Sequence, residues 1–393
     1  MSHRLVTLLG ATGSVGSSAA DILAAAPDRF SVHAVVARSS GRKLAEVARR
    51  LHARLAVVAE PEAFEELRTG LQDSGIQVAA GPEAVLEAAA APVDITLSAI
   101  AGAAGLAATA AAIEAGNDIA LANKECLICS GAPFMALARR HGVRILPVDS
   151  EHNALFQLLE GRNPDHVATY TITASGGPFR TWAAERLARA TPEQALAHPT
   201  WSMGEKVTID SATMMNKGLE LIEAHHLFGI ASDRMRVLVH PQSVVHGMLT
   251  FSDGSIHAEL GPADMRRPIG FCLYWPDRPA TAFSQIDLAA FADLSFEEPD
   301  LARFPALGLA MAALQSGAGA PTILNAADEI AVEAFLSREI AFTAIPEIVE
   351  YALTEADSRG LLAAPGSIEE ALALDGAGRR IARAYLHSHY KAA

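Results

Sequence analysis

Through the first 150 residues, short apolar runs alternate with longer segments whose apolar positions recur at helical spacing. RLVTLLG (4–10), SVHAVVA (31–37), LAVVA (55–59), IQVAA (76–80), DITLSAI (94–100), NDIALAN (117–123) and VRILPVD (143–149) read as strands. SSAADILAAA (17–26), 61–73, 82–90, 103–115 and 125–141 read as the helices between them. Nearly continuous apolar strands belong to a sheet covered on both faces. Their alternation with helices predicts an α/β fold with an N-terminal, Rossmann-like, doubly wound parallel sheet.

The pattern then changes. HVATYTITA (166–174), RVLVHP (236–241), SVVHGMLTF (243–251) and SIHAELG (255–261) predict a partly exposed, largely antiparallel platform, with Asp253-Gly254 as a hairpin turn. ADMRRPIGFCLYW (263–275) reads as a helix closing a central α+β region. Residues 276–305 are proline-rich and irregular, and from Ala306 onward the pattern is helical. The stretch HPTWSMGEKVTIDSATMMNKGLE (198–220) has little periodicity and reads as a polar loop leading into the helix LELIEAHHLFGI, with Asp210 or Ser211 as cap.

Composition narrows the functional classes. At 393 residues the chain exceeds one ordinary core, and 50% hydrophobic with 19% charged residues is a globular balance. The net charge of −14 argues against nucleic acid as a partner, so an anionic small substrate needs a local positive site. Cys126, Cys129 and Cys272 are too few for a disulfide framework. The Cys126/Cys129 spacing lacks the second pair that a zinc site requires, so both read as small core residues. With no signal sequence and no apolar run suited to a bilayer, the expected location is the cytoplasm, away from any membrane.

Candidate chemistry clusters at the predicted strand ends. Gly10-Ala11-Thr12-Gly13-Ser14-Val15-Gly16 lies between the first strand and the first helix, where backbone N–H groups can meet a pyrophosphate. The spacing is GxxGxxG rather than GxGxxG, so an ordinary strand-to-helix turn is the competing reading. After the second strand come Arg38-Ser39-Ser40, with no carboxylate until Glu46. An arginine with hydroxyls accommodates a 2′-phosphate, which favours NADPH over NADH. Asp149 and Glu151, two apart at a strand end, suit Mg²⁺ or Mn²⁺. Helix capping by Asp149 or Ser150 is the alternative, and the two roles are compatible. His152 reads as a positioning group. Ser175-Gly176-Gly177 offers an anion nest or a plain turn. In 198–220, hydroxyl, amide and ammonium donors suit phosphate oxygens, while Glu220 suits a cation. Glu329 and Glu333 share a helix and read as a solvated face. His240, His246 and His257 read as hydrogen-bonded sheet histidines, with His246 also able to face a site.

Taken together, GATGSVG, LANKE, LPVDSEHNALFQ, SGGPFR, HPTWSMGEKVTIDSATMMNKGLE, VLVHPQSVVHGM, FPALGLAMAALQSG and LNAADEIAVEAFL resemble the 1-deoxy-D-xylulose 5-phosphate reductoisomerase family. The resemblance runs from about residue 4 to the end. It implies an NADPH domain (1–149), a central catalytic and dimerising domain (150–275), a connection (276–305) and a C-terminal helical domain (306–393), in a homodimer. It assigns Asp149, Glu151 and Glu220 as ligands of one divalent cation (Mn²⁺, Mg²⁺ or Co²⁺). Ser175, His198, Ser211 and Asn216 would surround the phosphate of a small sugar substrate, with Ser150, Lys124 and Lys217 at its oxygenated end. Thr12, Gly13, Ser14 and Val15 would hold the cofactor pyrophosphate, with Asn123, Glu125 and Gly204 nearer the nicotinamide. Trp201 and Met203 would lie on a closing loop. Arg38-Ser39-Ser40 departs from the Gly-Lys-Asn frequent in the family.

The implied reaction is a skeletal rearrangement to a branched aldehyde followed by hydride transfer from NADPH. A retro-aldol/aldol route is expected over a concerted shift, although both are compatible with these residues. A simple NADP-dependent dehydrogenase of a phosphorylated polyol or aldehyde would need no three-carboxylate set and would survive chelation. A silent NADPH-binding regulator would have lost the metal and phosphate residues.

Overall fold

A computed structural model of the chain describes residues 3–279, 285–291 and 293–390. Part of the expected connection, at 280–284 and 292, lies outside the described residues. The chain forms two compact units. One comprises Met1–Cys126, Phe134–Asn153 and Asp264–Phe283; the other comprises Leu127–Pro133, Ala154–Ala263 and Ser284–Ala393.

The first unit holds seven strands: β1 Arg4–Leu9, β2 Phe30–Ala37, β3 Leu55–Val58, β4 Gln77–Ala80, β5 Ile95–Ser98, β6 Asp118–Leu121 and β7 Ile145–Pro147. They pair in parallel in the order β4-β3-β2-β1-β5-β6-β7. The chain winds outward from β1 to β4, then restarts on the other side of β1. The switch point is therefore between β1 and β5, where parallel sheets collect ligands. Helices α1 Ser14–Ala25, α2 Gly41–Arg50, α3 Phe64–Gly70, α4 Pro82–Ala90, α5 Leu106–Glu114, α6 Glu125–His141 and α7 Ser150–Leu159 follow the strands. β5 and, from Val6 onward, β1 are buried, as apolar runs covered on both faces require.

The second sheet, with β8 Val167–Ala174, β9 Met235–Val239, β10 Val245–Phe251 and β11 Ile256–Leu260, has the order β11-β10-β8-β9. β10 runs antiparallel to β8 and β11, as the hairpin signal predicts, but β8 and β9 are parallel. Some sixty residues separate those two strands, enough for the crossover that parallel pairing demands. That crossover carries helices α8 Ala184–Leu187, α9 Pro192–Leu196, α10 Glu205–Thr213 and α11 Met215–Phe228.

Helix α10 stands where the sequence pattern suggests a loop. Its Thr208, Asp210 and Thr213 are buried, so the hydrophilic positions that erase the periodicity face the interior. Thr208 donates to Gly204 O at 2.8 Å and Thr213 to Asp210 O at 3.1 Å, satisfying both hydroxyls locally. Met214, at φ 65°, is a one-residue joint between α10 and α11.

Further along lie α12 Arg266–Tyr274, α13 Pro305–Ser316, α14 Ala320–Leu336, α15 Ala344–Ser358 and α16 Ile368–Tyr390. Helix α12 groups with the first unit, where the Cys272 thiol donates to Pro147 O at 3.1 Å. The other four pack with α11 around one apolar core that includes Leu219, Ile222, Leu307, Ile323 and Phe335. All three cysteines are buried and none is in a disulfide, as expected of core residues. Glu333 is exposed, whereas Glu329 is not on a solvated face. Its side chain is 15% exposed and pairs with Arg379 at 2.6 Å. No helix among the described residues is long and apolar enough to cross a membrane.

Candidate active site

The glycine turn sits at the switch point. Gly10 has φ +86°, and a Cβ there would come within 2.3 Å of Ala99 O, beyond the end of β5. Gly10 therefore answers to the packing of strand ends. Gly13 differs, because a Cβ on it would touch only Gly10 O at 3.6 Å. It caps α1 with no side-chain hydrogen bond and no acidic residue in the first turn. Thr12, Gly13, Ser14 and Val15 thus surround a helix start whose N–H groups can receive an anion.

Arg38 stands at the end of β2, with Ser39 and Ser40 leading into α2. Its Nε lies 2.6 Å from Glu60 Oε1, and the side chains are 85% and 41% exposed. Such a pair contributes about 0–1 kcal/mol, so the guanidinium can exchange Glu60 for another anion at little cost. Glu60 is a carboxylate that the reading of β2 alone did not supply.

At the far end of β6, Asn123 bonds the carbonyls of Ile100 and Gly102 and accepts from Cys126 N at 2.9 Å. These bonds fix the start of α6, where Lys124 and Glu125 are both buried. Lys124 Nζ lies 2.9 Å from Asp149 Oδ2, with the two side chains 8% and 15% exposed. Asp149 Oδ1 accepts from Glu151 N at 3.2 Å, so the helix cap that competes with ligation in the sequence reading is present. Ser150 donates to Glu151 Oε2 at 2.7 Å. Asp149 and Glu151 each offer an oxygen within 4.8 Å of the other, the donor type a hard cation selects. His152 is fully buried with Nδ1 3.5 Å from Asp149 Oδ1, in keeping with a positioning group.

The second unit gathers the other candidates. His198 Nδ1 accepts from Thr200 N at 3.1 Å and Trp201 N at 2.9 Å. Because Nδ1 is an acceptor, the neutral ring carries its proton on Nε2, which meets Ser175 Oγ at 2.9 Å. Burial holds the His198 pKa below the ordinary histidine value, which favours this neutral form. Ser175 Oγ also accepts from Gly177 N at 3.2 Å, so its own proton is available to a third group. Gly177 has φ +68°, and a Cβ there would reach within 2.5 Å of Ser211 O. The Ser175 nest and the last turn of α10 are thereby adjacent.

On α11, Asn216 Nδ2 donates to Glu220 Oε1 at 2.5 Å, and Lys217 Nζ pairs with Glu220 Oε2. Lys217 and Glu220 are 5% and 1% exposed. The spacing of three and four residues puts both donors on the face of the carboxylate. Gly204 is the N-cap of α10. The Trp201 ring lies 6.1 Å from that of His246, whose Nε2 meets Gly261 O at 3.1 Å. Of the three sheet histidines, His246 is thus the one beside the expected closing loop.

Models of 1-deoxy-D-xylulose 5-phosphate reductoisomerase match residues 6–131, those of its C-terminal domain match 145–228, and a further C-terminal domain of the same enzyme matches 260–381. The chain belongs to the 1-deoxy-D-xylulose 5-phosphate reductoisomerase family. The reductoisomerase of Rhodopseudomonas palustris (strain BisB18) is 51% identical over 98% of this chain and 94% of its own length. That of Nitrobacter hamburgensis is 52% identical over the same shares. Among solved structures, the reductoisomerase of Zymomonas mobilis in complex with NADPH is 47% identical with a TM-score of 0.90, covering 98% of this chain and 100% of that one. A reductoisomerase in complex with NADPH, fosmidomycin and magnesium is 38% identical with a TM-score of 0.91, covering 98% of each chain. The match to the family over 6–131 takes in the glycine turn and Lys124. That over 145–228 runs from before Asp149 to beyond Glu220.

Proposed function

We propose that this chain catalyses the NADPH- and divalent-metal-dependent rearrangement and reduction of 1-deoxy-D-xylulose 5-phosphate to 2-C-methyl-D-erythritol 4-phosphate, a step toward isoprenoid precursors. The observation that carries this is the identity of about half with reductoisomerases along 98% of the chain. A simple dehydrogenase of a phosphorylated polyol is not favoured, since solved relatives hold magnesium as well as NADPH.

Residues 1–149 would hold the cofactor, with the α1 N-terminus and Thr12, Gly13, Ser14 and Val15 at its pyrophosphate. Arg38, Ser39 and Ser40 would meet its 2′-phosphate, and Asn123, Glu125 and Gly204 would lie toward the nicotinamide. Asp149, Glu151 and Glu220 are proposed as the metal ligands, an all-oxygen anionic set that fits Mg²⁺ or Mn²⁺. When bound, the ion supplies Lewis-acid polarisation of the substrate's ketone and hydroxyl oxygens, and NADPH supplies the hydride. Lys124, Lys217 and Ser150 then donate to the same oxygenated end, stabilising negative charge as it develops. Ser175, His198, Ser211 and Asn216 are proposed around the phosphate. Binding there, remote from the reacting carbons, can orient the substrate and close the Trp201 segment against water.

The same reading makes the molecule a cytoplasmic homodimer. Its cysteines, none of them in a disulfide, suit a reducing compartment. Among the described residues strand β11 pairs only with β10, while its Ile256 is 61% and Leu260 37% exposed, an apolar sheet edge suited to a second copy.

Incubating the purified chain with NADPH, Mn²⁺ and 1-deoxy-D-xylulose 5-phosphate tests the central claim. The branched polyol phosphate should accumulate in step with NADPH loss, and chelation should stop both. NADPH oxidation that persists after chelation would identify a simple dehydrogenase instead.

A further inference from the structure

Helix α10 contains an ionic group that none of the roles above uses. Lys206 Nζ lies 2.6 Å from Asp210 Oδ2 in the same helix and 2.9 Å from Asp328 Oδ2 on α14. Asp210 is 1% exposed and Asp328 0%. Two buried carboxylates thus face one ammonium, on a lysine side chain that is itself 21% exposed.

Among the described residues, the cations on neighbouring helices have other partners. On α14, Glu329 feels the Lys206 ammonium as well and is paired with Arg379 of α16, which also binds Asp375 at 2.6 Å. On α11, Lys217 and Glu220 are paired with each other. On α9, Glu193 pairs with Arg338 at the surface. Helix α13, PALGLAMAALQS, contains no charged residue. Desolvating two ionised carboxylates against a single ammonium is unfavourable, and one proton relieves it. Burial and the neighbouring Asp328 push the Asp210 carboxyl well above its usual range, in the same direction.

We propose that Lys206, Asp210 and Asp328 form a clamp in which the two carboxylates share one proton, and that this clamp positions the phosphate-facing end of α10. Lys206 occupies the first turn, immediately after the 198–204 segment, and Asp210 precedes Ser211. Movement of α10 off α14 would shift Ser211 together with the Gly177 backbone that abuts it. The positioning role rests on the phosphate assignment above; the shared proton does not. Lys206 is a positioning residue and touches no reacting atom.

Infrared difference spectroscopy on the full chain at neutral pH reads the proton directly. A protonated-carboxyl band should be present in the wild type and lost in both Asp210→Asn and Asp328→Asn, since each leaves one carboxylate to one ammonium. Its absence from the wild type overturns the clamp. Lys206→Met should raise KM for the phosphorylated substrate about tenfold while kcat moves less, and Lys206→Arg should recover most of the loss. A wild-type KM in a folded Lys206→Met overturns the positioning role; if that variant does not fold, the spectra decide. Ser211→Ala separates the two readings. A wild-type KM there with the band present overturns the phosphate assignment, whereas a missing band overturns the clamp whatever Ser211→Ala does.

Discussion

Ser175 Oγ and His198 Nε2 lie 2.9 Å apart, although 23 residues separate them along the chain. The backbone donors of Thr200 and Trp201 fix which way this bond runs, because they occupy Nδ1 and leave Nε2 to carry the proton.

That arrangement has a pH signature. Burial depresses the His198 pKa below 6.5, so the unfolded chain takes up the proton more readily than the folded one. The stability from this histidine is complete above pH 6.5 and is lost as pH falls through the lower folded value. A phosphate dianion beside Nε2 favours the imidazolium, so inorganic phosphate should raise the His198 pKa. An NMR titration with and without phosphate measures this. Coincident curves would remove His198 from the phosphate site.

Glu220→Gln should lower metal-dependent turnover at least about a hundredfold while NADPH binding survives. Lys217 would lose its buried counter-ion, which costs about 3–5 kcal/mol, so the thermal midpoint should fall as well. Turnover and NADPH calorimetry on the same folded sample decide the matter. Normal turnover would take Glu220 out of the ligand set.

The strand-and-helix order of the first sheet was legible because most of its strands, the edge strand β4 excepted, are largely buried and therefore read as apolar runs. The glycine turn was legible for its place after β1, although Gly10 proves to serve strand packing, whereas a Cβ on Gly13 would make only an ordinary contact with Gly10 O. Helix α10 was not legible. Asp210, Thr208 and Thr213 break its apolar pattern, and their partners, Lys206 and local carbonyls, become visible only in three dimensions. The parallel pairing of β8 with β9 was hidden for a similar reason, since it depends on a crossover whose helices include α10. Nor could position along the chain show Glu60 beside Arg38.

That last contact turns the cofactor question into a paired experiment. Arg38→Ala should weaken NADPH about tenfold or more while leaving NADH nearly unaffected. Glu60→Gln should do the opposite for NADPH, by releasing the guanidinium and removing a carboxylate near the incoming 2′-phosphate. Equal losses for the two cofactors in Arg38→Ala would refute the assignment.

At the β11 edge, Ile256→Asp places a charge on the exposed apolar strand. Sedimentation velocity should show a dimer for the parent chain and a larger monomer fraction for the variant. A parent chain that sediments as a monomer at micromolar concentration would dispose of the homodimer.

Met214 deserves a final consideration as a mechanical part. A single buried residue in the left-handed region separates α10 from α11, so there is no slack between the helix bearing Ser211 and the helix bearing Glu220. With Ser211 and Glu220 in the roles proposed for them, the two would behave as arms of one bent lever, holding an anion on the first arm at a fixed span from the carboxylate on the second. The length of molecule able to engage both ends would then be set by the backbone, and substrates one carbon shorter or longer should be turned away.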